Sequence, residues 1–318
     1  GGRGADGGDS DGPEYNALLA LPIYSNLPSR LQLRIFEPPP ARTRKVVVAT
    51  NIAETSLTVD GIVHVVDCGF SKQLYVQESG EEALVTAPVS KASARQRAGR
   101  AGRSRPGSYY CLMTQPSFDA LLEQTPPEMQ RCALASTVLQ LKGLGVENVL
   151  RFDYLSPPPP QILADAVEHL YALGALDESA ALTQPRGASM AMLPLEPAVS
   201  CFLLAASKEG CEDDALSLAA LLSLTPPFVK LKPAEQSAAR ARFAVEEGDA
   251  LTLLNAYRAY RQRVQRQGER KAASWCKRCL LDERVLSRAA QVRRQLEQQL
   301  RSIERRREQS SAQQAPHT

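Results

Sequence analysis

The chain has 318 residues, of which 43% are hydrophobic and 23% charged, and its formal net charge is +3. The length allows two or three domains with cores of their own, and the composition is ordinary for a globular protein. Because the net charge is small, any basic binding surface has to be local. Residues 1–12 form a Gly/Asp-rich leader, which predicts disorder rather than a secretory signal. No apolar run approaches the ~18 residues of a membrane span.

Cysteine and histidine usage argues against a disulfide framework and against a metal site. The seven cysteines are spread along the chain, and their odd number favours a reducing compartment, the nucleus or the cytoplasm. Cys276 and Cys279 have metal or redox spacing, but no second pair completes a site. We interpret them as structural cysteines on one helix face. The three histidines are too scattered to form a site.

The first third of the chain alternates strands with helical or polar segments. β-branched and apolar runs predict strands at residues 17–22, 45–50 and 62–67, and we expect the last two to be buried on both faces of a parallel sheet. A helix is predicted to begin with Ser29 as its N-cap. This order is typical of a doubly wound α/β sheet, which binds ligands at the carboxyl ends of its strands. The hydroxyl-rich turn at residues 51–61 follows such an end.

A predicted hairpin and a predicted helix complete this α/β part. Segments 74–76 and 83–85 flank an acidic turn at Gly80 and predict a β-hairpin. A helix is predicted to follow Ser90, and residues 108–112 are predicted to form a strand.

After Pro116 the composition changes to helices separated by proline turns. Helices predicted at 133–144 and 161–173, with a short hairpin at 174–183, outline a winged-helix domain. Further helical segments predict an all-α bundle, and they lie at residues 199–207, 213–224, 250–265 and from 281 onward. Residues 293–308 are mostly Arg, Gln and Glu, which predicts a solvated helix that frays, and residues 297–318 are expected to form a charged, disordered tail.

Residues 96–103 read QRAGRAGR, with an arginine at every third position and small residues between. Guanidinium groups stay charged and bind phosphate through a planar fork, and glycine lets a ligand approach the backbone. The pattern allows two interpretations: a basic loop on a solvated surface, or a phosphate-binding set that contains arginine fingers. The octamer alone does not distinguish them.

Two segments together favour the second interpretation. Residues 49–62 read ATNIAETSLTVDGI and residues 90–103 read SKASARQRAGRAGR. They resemble motifs V and VI of DEAH-box RNA helicases, and weaker matches extend to about Leu296. The resemblance implies a partial α/β RecA-like lobe of the P-loop NTPase type, an α-rich winged-helix domain and an all-α, ratchet-like helical bundle. The implied limits of these domains are 13–114, 115–184 and 185–296, with a tail at 297–318.

The resemblance also implies a nucleotide site. ATP, or another nucleoside triphosphate with Mg²⁺, would bind between this lobe and a first lobe, which would hold most of the Mg²⁺ coordination. Arg100 and Arg103 would be arginine fingers on the β- and γ-phosphates, and Gln96 would help to place the attacking water or the γ-phosphate.

The resemblance also implies residues that would contact the nucleoside. Thr58 and Asp60 would meet the ribose, and Phe36 would stack on the base, which reads only a π-face. Taken alone, Phe36 is also explained as a buried core aromatic. Glu54, in the same turn, is at least as well explained as a structural hydrogen-bonding partner as by a direct catalytic role.

RNA and protein partners follow from the same resemblance. Thr50 and Asn51 would touch the RNA sugar-phosphate backbone, which carries no sequence information, during movement in the 3′-to-5′ direction. The hairpin matches a strand-separating hairpin in position, and its acidic tip (Glu78, Glu81 and Glu82) favours a wedge over phosphate binding. A glycine-rich activator protein or a ribonucleoprotein complex is an expected partner, in the nucleus or the cytoplasm.

The sequence departs from a complete helicase. It contains no G-x-x-x-x-G-K-[ST] loop and no Asp-Glu-Ala-His sequence, so the phosphate nest and the magnesium-holding acid are missing. The chain is therefore either the C-terminal portion of an active helicase or a catalytically inactive RNA-binding or scaffold protein derived from that fold. A winged-helix DNA-binding protein has no use for the α/β part. The intact arginine set favours the helicase.

Overall fold

The computed structural model describes residues 15–25, 27–55, 57–77, 82–103, 105–229 and 233–314. They form two compact units that divide between Cys132 and Ala133. The predicted leader at residues 1–12 and the hairpin tip with Glu78, Gly80 and Glu81 lie outside the described residues.

Strands of the first unit pair two by two. In the described residues they are β1 (Ala17–Ile23), β2 (Thr43–Ala49), β3 (His64–Asp67), β4 (Phe70–Val76), β5 (Glu82–Pro88) and β6 (Ser108–Cys111). β1 is parallel to β2, with Ala17 opposite Thr43, and β3 is parallel to β6. β4 and β5 are antiparallel, which confirms the arms of the predicted hairpin. The parallel pairs place the ends of β1 and β2 side by side.

The expected two-sided burial of β2 and β3 is wrong. Val48 and Val66 are exposed, while Leu21, Ile23 and Ile35 form a small core on the other side of the first sheet. A β-branched run favours an extended backbone and a packed surface wherever one is supplied. It therefore predicts the strand correctly without predicting what covers it.

Helices of the first unit are short. They are α1 (Ser29–Leu33), α2 (Ile52–Thr55), α3 (Lys91–Ala98) and α4 (Gln115–Asp119). The helix predicted after Ser90 is confirmed as α3, and Ser90 itself caps it, because its Oγ accepts from the Ser93 amide at 3.1 Å. The prediction that Ser29 is an N-cap is wrong by one position, since Pro28 occupies the cap with φ −52° and ψ 135°. Proline fixes φ near that value, so Ser29 becomes the first helical residue.

The described part of the second unit is mainly helical. Its helices are α5 (Ala135–Gly143), α6 (Pro160–Ala172), α7 (Arg186–Ala191), α8 (Pro197–Lys208), α9 (Glu212–Leu222), α10 (Pro233–Ala241), α11 (Asp249–Gln267), α12 (Glu269–Cys279) and α13 (Glu283–Gln314). After α6, one antiparallel bridge joins Leu176 to Leu182 where the wing hairpin is predicted. Gly187 packs directly against the backbone of this hairpin, because a Cβ there would lie 2.0 Å from the Ala175 carbonyl oxygen.

Two apolar clusters hold the later helices together. One surrounds Tyr257 and Trp275, and the other surrounds Leu216 and Leu296. Cys276 and Cys279 are buried on α12, and burial raises the pKa of Cys276 to about 12. A thiol protonated at neutral pH is a poor nucleophile and a poor metal ligand, in agreement with the structural interpretation.

The stretch from residue 297 is helical rather than disordered. α13 continues to Gln314, and Leu300 and Ile303 are buried in it. With Leu296 these side chains repeat at i, i+4 and i+7, which lines up one apolar stripe on a helix. That stripe docks the helix although most of its residues are polar.

Candidate functional site

Three arginines of the octamer all contact one short polar turn. Arg97 Nε donates to Glu54 Oε2 at 3.0 Å, and Arg103 Nη1 donates to Thr58 Oγ1 at 2.7 Å. Arg100 donates to two backbone carbonyls of the turn, those of Glu54 and, at 3.0 Å, Leu57. Motifs that lie about forty residues apart in the sequence are thus joined by guanidinium groups.

Half-buried apolar and exposed polar side chains alternate along the turn at residues 57–60. α2 begins directly after β2, and Thr50 is tied to the end of β1 by its amide, which donates to the Ile23 carbonyl at 3.1 Å. Leu57 and Val59 then pack against the core next to β1. In extended backbone successive side chains point to opposite sides.

That alternation leaves Thr58 and Asp60 exposed, as are Thr50 and Asn51 at the end of β2. The predicted ribose and RNA contacts are therefore all open to solvent. The structure brings Thr58 into contact with Arg103.

The octamer itself changes conformation midway. α3 ends at Ala98, so Gln96 and Arg97 are helical, whereas Arg100 and Arg103 follow the helix. Gln96 is exposed, Arg100 is half-buried and Arg103 is exposed. The segment after the octamer passes very close to β3, because a Cβ on Gly107 would lie 2.4 Å from the Val63 carbonyl oxygen. Only glycine fits there.

Phe36 is not a core residue. Its side chain is 48% exposed, whereas that of the preceding Ile35 is fully buried. Lys45 Nζ donates to the carbonyls of Ile35 at 2.7 Å and Glu37 at 2.8 Å, and so fixes the backbone on both sides of the ring. The ring is thus exposed on a held backbone, and the alternative of a buried core aromatic does not hold.

One arginine contacts the last residues of β4, next to the turn of the hairpin. Arg131 Nη1 donates to the Leu74 carbonyl at 2.6 Å, and the Val76 amide donates to the Arg131 carbonyl at 2.8 Å. Arg131 also lies over the Tyr75 ring at 5.7 Å from the centroid. These contacts hold the β4 arm of the hairpin close to its turn.

Sequence reasoning missed a buried polar group behind the octamer. Arg97 Nη1 donates to Asp67 Oδ1 at 2.6 Å, and Tyr109 donates its hydroxyl to Asp67 Oδ2 at 2.8 Å. Burial alone would raise the pKa of the Asp67 carboxyl, but hydrogen bonds from the Gly69 amide, Tyr109 and Arg97 hold it below its ordinary value. Burial and the Asp67 carboxylate raise the pKa of Tyr109 well above its ordinary value. The available signal was an aspartate at the end of an apolar strand, with a glycine two residues later.

Two other kinds of site find no support in the described residues. They contain no cluster of three or more His, Cys, Asp and Glu side chains that could hold a metal ion. No helix in the same part of the chain has the length and apolar character that crossing a membrane requires.

Comparison with protein families defines the class. The helicase conserved C-terminal domain matches residues 14–105. The winged-helix part of the helicase-associated domain HA2 matches residues 166–195, and its ratchet-like part matches residues 196–253. The chain thus consists of a RecA-like helicase lobe followed by helicase-associated winged-helix and ratchet-like domains.

Individual relatives narrow the class to DEAH-box RNA helicases, and the chain belongs to that family by its C-terminal domains. The probable ATP-dependent RNA helicase DHX35 of Homo sapiens is 48% identical over 287 residues, which cover 89% of this chain and 40% of the relative. The DHX35 homologue of Caenorhabditis elegans is 45% identical over 291 residues, covering 90% and 39%.

A third relative is named for splicing. The pre-mRNA-splicing factor ATP-dependent RNA helicase prp22 of Schizosaccharomyces pombe is 44% identical over 289 residues, covering 90% of this chain and 24% of the relative. The chain therefore spans less than half the length of the curated relatives it matches.

Proposed function

We propose that the chain is the C-terminal portion of an ATP-dependent RNA helicase that couples nucleotide hydrolysis to 3′-to-5′ movement on RNA and to its unwinding. The observation that carries this proposal is the contact of Arg97, Arg100 and Arg103 with the turn at residues 54–58. A basic surface loop has no reason to hold a hydroxyl-rich turn with three successive arginines.

The nucleotide roles follow from exposure and chemistry. Arg100 and Arg103 act as arginine fingers on the β- and γ-phosphates, where bound ATP supplies the phosphoryl group that is transferred. Arg103 donates to Thr58 through one nitrogen, Nη1. Because a guanidinium has five N–H donors in all, the others remain for phosphate. Gln96, exposed on the last turn of α3, places the attacking water or the γ-phosphate.

The nucleoside is held by exposed groups of the same unit. The Asp60 carboxylate accepts from the ribose hydroxyls, Thr58 contacts them through its own hydroxyl, and Phe36 stacks on the base. The described residues supply cations rather than a cluster of carboxylates, so we assign Mg²⁺ mainly to a first lobe outside this chain. The absence of a Walker A loop from the sequence supports that division.

RNA contacts are assigned to the strand end. Thr50 and Asn51, exposed after β2, bind the sugar-phosphate backbone without reading sequence. The β4–β5 hairpin, whose β4 arm is held near the turn by Arg131, acts as the wedge that separates strands. One relative is a splicing factor by name, so we propose a ribonucleoprotein complex in the nucleus as the setting and a glycine-rich protein as the activator.

The first test uses the chain alone. Purified residues 1–318 are expected to show no RNA-stimulated ATP hydrolysis, because the phosphate nest and the acid that holds Mg²⁺ are missing. Measurable turnover from pure material would contradict the proposed division between two lobes.

The second test uses the complete helicase. Arg100→Ala or Arg103→Ala is expected to lower ATP turnover by ~10³-fold or more, while single-stranded RNA binding persists. Arg95→Ala is the matched control, since Arg95 lies on α3 just before the octamer and contacts the exposed Glu123. Equal loss of hydrolysis and RNA binding would point to misfolding. Persistent RNA binding with no effect of any arginine on hydrolysis would favour an inactive scaffold.

A further inference from the structure

Behind the exposed arginines, the first unit contains an arginine that is already committed to two carboxylates. The side chain of Arg97 is 15% exposed, that of Glu54 is 12% exposed and that of Asp67 only 2%. Arg97 donates through Nε to Glu54 and through Nη1 to Asp67 and, at 3.4 Å, to the Phe70 carbonyl. These contacts distinguish it from Arg103, which is exposed and contacts a single hydroxyl.

One end of this group is fixed to the sheet. Asp67 is the last residue of β3, and its carboxylate also accepts from the Gly69 amide at 2.9 Å and from Tyr109 on β6. Three donors, on Gly69, Tyr109 and Arg97, hold this carboxylate in one position. Asp67 is therefore a rigid reference point for the Arg97 guanidinium.

The other end leads to a proposed arginine finger. Glu54 accepts from Arg97 on its carboxylate and from Arg100 on its backbone carbonyl. α2 has only four residues, Ile52–Thr55, too few to hold its position by its own hydrogen bonds. Moving the Glu54 carboxylate therefore moves the carbonyl on which Arg100 rests.

We propose that Arg97, Glu54 and Asp67 form a positioning unit that sets the place of Arg100 for phosphate contact by transmitting the position of the β3–β6 sheet to the turn. This inference rests on the proposed function, because it assigns a purpose to Arg100. The three residues do not touch the nucleotide. They are positioning residues, and Arg100 is the residue on which they act.

Stability alone is a weaker explanation of this unit. A buried ion pair often contributes little net stability, because desolvation offsets the Coulomb attraction. The unit also places two carboxylates against one guanidinium, which is an expensive arrangement to keep for packing. A role in positioning explains why Glu54, the member of the unit that lies on the turn, is charged.

The test separates turnover from binding in the complete helicase. Glu54→Ala is expected to lower kcat for RNA-stimulated ATP hydrolysis by about 10- to 100-fold, the scale of a small misplacement of reacting groups, with KM for ATP changed less than about threefold. Glu54→Gln keeps an acceptor for Arg97 and is expected to recover most of kcat. A variant with a purely structural defect would lose thermal stability and would not be rescued in this graded way.

Glu123→Gln is the matched control. Glu123 pairs with Lys91 and Arg95 of the same helix α3, but its side chain is exposed. Its replacement is expected to leave kcat, KM and the melting temperature unchanged. The inference is overturned if Glu54→Ala and Glu54→Gln both retain full kcat while the melting temperature of Glu54→Gln equals that of Glu123→Gln.

A double-mutant comparison shows whether Glu54 acts through Arg100. Arg100→Lys retains a cation and is expected to keep measurable turnover at a reduced kcat. Adding Glu54→Ala to Arg100→Lys is expected to lower kcat by less than about twofold, because residues that act as a unit are not additive. Full additivity would overturn the positioning role and leave Arg100 as a finger. Wild-type kcat in Arg100→Lys and Arg100→Ala would instead contradict the proposed function itself.

Discussion

Arg97 in the first unit and Arg293 in the second are both buried arginines held by carboxylates, but their partners differ. Arg97 faces Glu54 and Asp67, whose side chains are 12% and 2% exposed. Arg293, itself 10% exposed, pairs with Asp213, which is 75% exposed. The cost of losing an arginine depends on what is left behind, because a buried charge without a partner is far more expensive than one in water.

The two arginines also differ in what lies beyond them. Arg293 on α13 donates to Ser217 on α9 at 3.2 Å and so ties two helices of the bundle together. The contacts of Arg293 serve helix packing, next to Leu216 and Leu296. Arg97 instead contacts Glu54, whose backbone carbonyl accepts a hydrogen bond from Arg100. The same residue type therefore serves helix association in one unit and the geometry of a proposed phosphate site in the other.

Arg97→Met is expected to give the largest effect on stability. It leaves the Asp67 and Glu54 carboxylates buried without their cation, which typically costs about 3–5 kcal/mol. Hydrogen exchange of the β3 and β6 amides measures the opening free energy of the first unit directly.

The control for that comparison is Arg95→Met. Its partner Glu123 is exposed, so we expect little change in the free energy of unfolding, because exposed ion pairs are screened by water. Equal losses in the two variants would remove the distinction between buried and exposed partners.

Tyr109→Phe is expected to give an intermediate, pH-dependent effect. It removes one donor to a buried carboxylate, worth roughly 1.5–3 kcal/mol at neutral pH. The native pKa of Asp67 is lowered, so its contribution is present above the unfolded pKa of ~3.9 and is lost as pH falls through the native pKa.

The stability difference between wild type and Tyr109→Phe should therefore be present at pH 7 and shrink steadily below pH ~4. Urea unfolding followed by hydrogen exchange across that range measures it. Tyr110→Phe is the control, since Tyr110 is exposed on the same strand. A difference that persists unchanged into acid would show that the lost interaction does not involve the ionised Asp67.

The octamer and its partner turn were predictable because their signals are local. Apolar runs, the helix after Ser90 and the spacing of residues 96–103 are all read from short windows. Which arginine turns inward is not a local property, because Arg97, Arg100 and Arg103 are identical in type and equally spaced. The end of α3 at Ala98 separates them, and Arg97 finds Asp67, 30 residues away, only in the folded chain.

The two clearest failures have different physical causes. Burial of β2 on both faces could not be predicted, because a valine run specifies the strand and not the layer against it. The helical docking of residues 297–303 could have been predicted. Average composition hid three apolar positions at helical spacing, Leu296, Leu300 and Ile303, which are buried in α13.

Arg293→Met is expected to give the smallest effect, and it completes the comparison of the two arginines. Loss of the Arg293 guanidinium leaves the Asp213 carboxylate hydrated. Glu297 is still paired with Arg301 at 2.6 Å, and Ser217 still donates to the Asp213 backbone carbonyl at 2.9 Å. Because nothing is left buried without a partner, we expect a change of at most about 1 kcal/mol. Trp275 fluorescence during urea unfolding reports on this unit, and Leu296→Ala, expected to cost about 2–5 kcal/mol, shows that the assay detects a lost core contact. A loss for Arg293→Met as large as that for Leu296→Ala would mean that burial of the arginine itself, rather than burial of its partners, decides the cost.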